Sequence, residues 1–179
     1  MTYSKKQVTF NTLNKTGARI KEVQHIKVRD IDFNRDNIVL RVTKRVINKP
    51  GVQKTGARKI RVLSISKKFK RFLNKVVKEY ELDDDDYLPI LKTSPANVAL
   101  KKHLQRIGIK DWMMFSIHNV RKTAENWMHT MEIDSFKVTK HFGHSREVAY
   151  KHYLQSSVFT LDEKRWIRHF YDDLASKMG

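Results

Sequence analysis

The sequence predicts an α+β domain, mainly α-helical, with one small antiparallel sheet. Three observations predict it. Apolar residues recur at helical spacing along most of the chain. Two short β-branched runs, Ile38-Val39-Leu40-Arg41-Val42-Thr43 and Ile60-Arg61-Val62-Leu63-Ser64-Ile65, interrupt that pattern. With 179 residues of which 40% are hydrophobic, the chain can enclose one core and has little room for a second.

Each element has its own reason. The first 25 or so residues read as helix, with Val8, Leu13 and Ile20 spaced for one face and a break at Thr16-Gly17. Asn34-Arg35-Asp36-Asn37 is a cluster of turn formers leading into the first strand. Between the strands lies a basic segment with Pro50-Gly51 and Lys54-Thr55-Gly56, so the sheet's loop carries lysines. Phe69, Phe72, Leu73, Val76 and Val77 restore the helical period from Lys67 to Tyr80, and Asp83-Asp84-Asp85-Asp86 ends that helix. Those four carboxylates lack the alternating spacing of a calcium loop and read as a solvated acidic loop. A helix from about Ser94 to Ile107 is expected to be capped by Ser94, with Pro95 at its first position. Further helices are predicted over 116–131, near 135–142 and 145–154, and over 160–177.

Charge narrows the function. Lys and Arg number 37 against 19 Asp and Glu, so the net charge is 37 − 19 = +18. That excess points to a polyanion, nucleic acid above all. The complete absence of cysteine excludes disulfides, a thiol nucleophile and any Cys-based zinc or iron–sulfur site, and suits an intracellular, reducing compartment. No apolar run approaches the roughly 18 residues of a membrane span.

Three local patterns could carry chemistry. His118-Asn119-Val120-Arg121 puts an imidazole and a guanidinium on one face at a helix start, where backbone N–H groups add to the positive field. Gly143-His144-Ser145 precedes Tyr150 and Tyr153, and 153 − 144 = 9 sets the second tyrosine one short helix downstream of His144. In Thr16-Gly17-Ala18-Arg19, an arginine follows a glycine break, and Glu22 three residues on can orient it. Each pattern alone also has an ordinary structural reading: a packing tyrosine, a surface ion pair, a helix-end histidine. Their order, with a lysine-bearing hairpin between the first arginine and the histidine–arginine pair, is what carries the signal.

In these residues the sequence resembles the catalytic domain of the tyrosine recombinases, the phage-integrase and Xer/Cre-like family. The resemblance runs from about Thr16 to Tyr153. It implies the catalytic set Arg19, Lys54, His118, Arg121, His144 and the nucleophile Tyr153, with Glu22 in support and Tyr150 as a rival nucleophile. The interval 144 − 121 = 23 is similar to the family's spacing between the second arginine and the second histidine. Ala18 and Phe142 depart from the larger apolar residue and the leucine usual at those places.

The implied fold is the family's mainly helical catalytic domain, its small sheet carrying the lysine hairpin. The implied reaction is DNA cleavage and rejoining through a covalent 3′-phosphotyrosine, with no metal or other cofactor. The implied partners are double-stranded DNA and further copies of the chain in a tetrameric synapse, without a membrane. The implied setting is the cytoplasm, at the nucleoid, or a virus or mobile element. A type IB topoisomerase-like DNA-relaxing enzyme and a non-catalytic basic DNA-binding module are the alternatives. Only 18 residues precede Arg19, so residues 1–179 are expected to be the catalytic domain without the family's N-terminal DNA-binding domain. The stripe Leu161, Trp166, Ile167, Phe170, Leu174 in the C-terminal helix, 160–178, either closes its own core or packs onto a neighbouring subunit.

Overall fold

The computed structural model describes residues 3–41 and 60–145, together with Glu147, Thr160, Asp162, Glu163 and Arg165. Within them the order is α1 (Lys5–Thr16), α2 (Ile20–Val23), β1 (Ile31–Asp32), β2 (Asn37–Arg41), β3 (Ile60–Ser64), α3 (Lys67–Glu79), α4 (Thr93–Arg106), α5 (Ile117–Thr130) and α6 (Ser135–Phe142). This is the mainly helical α+β architecture the sequence predicts.

Helix starts coincide with residues able to satisfy free backbone N–H groups. Ser4 Oγ accepts from Gln7 N at 3.3 Å while Gln7 Oε1 accepts from Ser4 N at 2.9 Å, a reciprocal cap on α1. Ser66 Oγ accepts from Phe69 N at 3.1 Å to start α3, and Asp134 Oδ1 from Lys137 N at 3.0 Å to start α6. Thr160 and Glu163 form the same reciprocal pairing at the predicted start of the C-terminal helix. Helix α4 differs from expectation. It begins at Thr93 with Lys92 as its cap, and Pro95 is the third helical residue. Proline is tolerated there because none of the first-turn N–H groups has an acceptor within the helix.

The sheet is antiparallel in the order β1-β2-β3, with Ile38 opposite Leu63 and Leu40 opposite Arg61. Alternation sends Ile38, Leu40 and Leu63 inward, and Arg61 with them. Asp32 Oδ1 accepts from Asn34 N and Arg35 N at 3.0 and 2.9 Å, which tightens the predicted turn. Against the sheet pack Leu13, Val23, Phe69 and Leu73, forming the larger apolar core. A smaller cluster, Ala124, Met128, Met131, Val138 and Phe142, joins α5 to α6.

The acidic loop is ion-paired rather than merely solvated. Asp85 meets Lys27 Nζ at 2.7 Å and Arg29 Nη1 at 2.8 Å, and backbone bonds from Val28 and Arg29 to Asp86 and Asp84 join the two segments. Among the described residues, no three His, Cys, Asp or Glu side chains converge as a metal site, and no helix is long and apolar enough to cross a membrane.

Candidate active site

Four of the residues singled out from sequence meet where the α1–α2 junction faces α5 and the end of α6: Arg19, Glu22, Arg121 and His144. The junction is shaped by Gly17, whose left-handed φ of 58° ends α1 and whose N–H reaches Leu13 O at 2.8 Å. A Cβ on Gly17 would lie 2.6 Å from Phe142 Cε1, so the close approach of backbone to ring requires glycine here. The next residues bring Arg19 to the start of α2. There Glu22 Oε1 accepts from Arg19 Nη1 and Oε2 from Arg19 N, both at 2.9 Å. Glu22 thus holds both the backbone and the side chain of Arg19.

Arg121 lies on the inward face of α5, which also carries Ile117, Ala124, Glu125 and Met128. It is 2% exposed. Its Nη1 donates to Gly17 O at 2.9 Å, its Nη2 to Phe142 O at 2.5 Å, and its guanidinium lies 4.9 Å from the Phe142 ring centre. Phe142, a departure from the family pattern, therefore supplies both a carbonyl and an aromatic face to the second arginine. Burial, then the charges of Arg19 and Arg61, lowers Arg121 to about 10, which still leaves it cationic at neutral pH. His118, three residues earlier, is exposed. Partial desolvation, then the charges of Lys122, Arg121 and Arg19, pushes it down and favours the neutral form.

His144 follows Gly143, which ends α6 at a left-handed φ of 69°. Its Nε2 lies against Glu125 Oε1, and its ring stacks on Phe142 at 6.4 Å with 23° between planes. Lys54, Tyr150 and Tyr153 lie outside the described residues.

Three participants were not singled out from sequence. Arg61 on β3 donates its Nη2 to Glu22 Oε2 at 2.5 Å and its Nη1 to the His141 carbonyl. Its signal was an arginine at an inward position of an alternating strand. Glu125 is fully buried four residues after Arg121, and its signal was a carboxylate on the apolar face of a helix. His141 Nε2 lies 3.0 Å from Thr16 O. A carbonyl only accepts, so the neutral ring donates, and burial, partly offset by that bond, lowers His141 to about 4.

Arg19, Arg61 and Arg121 thus gather near two buried carboxylates, Glu22 and Glu125, in a cluster whose guanidiniums outnumber its carboxylates. Such an excess of guanidinium groups suits an anionic oxygen ligand. The phage integrase family model matches residues 2–158, most of the chain and all of the residues above. The chain belongs to the phage integrase family.

Solved structures share this family member's fold at low sequence identity. The crystal structure of XerA recombinase matches with a TM-score of 0.60 and 17% identity, covering 89% of this chain and 55% of that one. XerH site-specific recombinase bound to difH substrate, in a pre-cleavage complex, gives 0.62 and 14%, covering 96% and 49%. The Tn1549 transposon integrase in complex with transposon right end DNA gives 0.59 and 16%, covering 91% and 57%. The phage integrase family chain therefore spans about half the length of these solved relatives. No curated protein matches its sequence significantly.

Proposed function

We propose that this phage integrase family chain is the catalytic part of a site-specific DNA recombinase that cleaves and rejoins strands through a covalent 3′-phosphotyrosine. One observation carries the reading: Arg19, Arg121 and His144, from three separate segments, lie in one electrostatically coupled cluster, with His118 within reach of both arginines' charge. In the proposed step the Tyr153 phenol oxygen attacks phosphorus and the bond to the 5′ oxygen breaks. The Lys54 ammonium delivers a proton to that departing oxygen. Arg19 and Arg121 stabilise the charge that grows on the non-bridging oxygens, while His118 hydrogen-bonds the same group and His144 assists proton movement. Arg61 acts through Glu22, holding the carboxylate that orients Arg19.

Double-stranded DNA is the proposed partner, and a tetramer of this chain on paired sites the proposed assembly, in a cell or mobile element that supplies those sites. The remaining lysines and arginines contact the flanking backbone, so binding weakens steeply with salt. A nicked suicide substrate built on the DNA flanking the gene tests the reading. Wild-type protein is expected to trap a covalent complex that Tyr153→Phe abolishes while DNA binding stays within about two-fold. A covalent complex retained in Tyr153→Phe overturns the assignment to Tyr153 and transfers the test to Tyr150→Phe.

A further inference from the structure

Arg121, Glu125 and His129 succeed one another at four-residue intervals along α5, on the side that meets His144. Glu125 has no exposed surface, and the His144 side chain beside it is 7% exposed. The two ring nitrogens of His144 have different surroundings. Nδ1 lies 3.2 Å from the Ser145 carbonyl oxygen, which only accepts, so Nδ1 carries a hydrogen. Nε2 lies against Glu125 Oε1. Two bare lone pairs repel at such contact, so the contact favours one proton held on the pair, on either residue.

The charged and titratable groups facing this pair are Arg121 and His129 from α5 and Arg19 from the α1–α2 junction. Burial pushes Glu125 up to about 7 against the pull of Arg121 and Arg19. Burial pushes His144 down, the Ser145 bond opposes it, and Arg121, Arg19 and His129 add to it. Both directions agree with a single shared proton.

A buried carboxylate is out of place beside a recess read as a phosphate site, because its negative charge would repel the ligand. The shared proton removes that conflict. We propose that Glu125 is a positioning residue for His144: by sharing a proton with Nε2 it fixes the ring against Phe142 and meets a bound phosphate as part of a neutral pair. The inference rests on the reading of His144 as a site residue. Above neutrality the pair loses its proton and a bare carboxylate faces the phosphate, so strand cleavage falls as pH rises. Glu125→Gln keeps a donor to Nε2 and has no charge to expose, so it holds the ring and loses the alkaline fall. Glu125→Ala loses the ring's support as well.

Two measurements on the full chain test this. The first is a pH titration of the His144 ring by nuclear magnetic resonance, which needs no DNA. The wild type is expected to show a step near pH 7 that moves down by at least one unit in Glu125→Gln. The second is the pH profile of covalent-complex formation on the suicide substrate. Wild-type rates are expected to fall about ten-fold per unit above the step. Glu125→Gln is expected to stay flat, and Glu125→Ala to lose at least ten-fold at every pH, a loss that Gln rescues. No wild-type His144 step near pH 7, an unchanged step in Glu125→Gln, or parallel profiles for wild type and Glu125→Gln would each overturn the proposal. A wild type that forms no covalent complex at any pH overturns the recombinase reading instead, and the titration alone then decides the pair.

Discussion

The core enclosed by α1, the sheet and α3 and the seam where α1–α2 meets α5–α6 are equally buried and built from opposite materials. In the core, Ile38, Leu40 and Leu73 are wholly shielded from water and stabilise by burial alone, each by about 1.5–3 kcal/mol. In the seam, Glu22, Arg121 and Glu125 are just as shielded. Removing such charges from water costs several kcal/mol per ion before any pairing is counted. Pairing, as between Glu22 and Arg61, offsets that cost without turning it into a gain. Leucine in the seam would have served stability as well or better, so its charged composition accords with the proposed phosphate site.

The largest expected effect that separates the two regions comes from breaking a seam pair on one side. Glu22→Ala leaves Arg61 buried without its carboxylate and is expected to cost ~4 kcal/mol in urea denaturation. The double variant Glu22→Ala with Arg61→Leu should recover most of that loss. If the double variant is as unstable as the single one, Glu22 stabilises by something other than its charge. Next comes Leu73→Ala in the core, expected to cost ~3 kcal/mol through lost burial and the cavity left behind. No partner substitution at a charged site should rescue it.

The smallest effect is a dependence on pH that belongs to the seam. His141 is held neutral well below its ordinary value of 6.5, at about 4. Its contribution is complete above pH 6.5 and is lost as pH falls toward 4, because the unfolded chain binds the proton first. Between pH 6.5 and 5 this slope is about 1.4 kcal/mol per unit at most. His141→Gln should flatten the fall in stability over that window, measured by denaturation at pH 7, 6 and 5. An unchanged slope would assign the acid sensitivity to other groups.

Much of this was legible in the sequence, and what was missed has a common cause. Periodicity located α3, α5 and α6, and the β-branched runs located β2 and β3, because these elements bury one regular face. The break at Thr16-Gly17 was legible because glycine enters left-handed backbone freely. The start of α4 was misread because a proline suits several positions of a first turn. Arg19, Glu22, Arg121 and His144 could be found because they sit in spaced motifs. Arg61, Glu125 and His141 could not, since each gains its role from a partner distant in sequence: Glu22, His144 and the Thr16 carbonyl. Local spacing cannot express such a pairing. A charged residue on a face that periodicity marks as buried was the available signal, and it appeared at both Arg61 and Glu125.

The two carbonyl bonds of Arg121 reach across 104 residues to Gly17 and across 21 to Phe142. These closures are long, and contacts of high sequence separation are expected to assemble after the local helices and the sheet. A nascent or partly unfolded chain would carry every one of these side chains and still present no assembled grip. On the proposed reading, completeness of folding acts as a safeguard, withholding the chemistry until Gly17 and Phe142 have both closed onto Arg121.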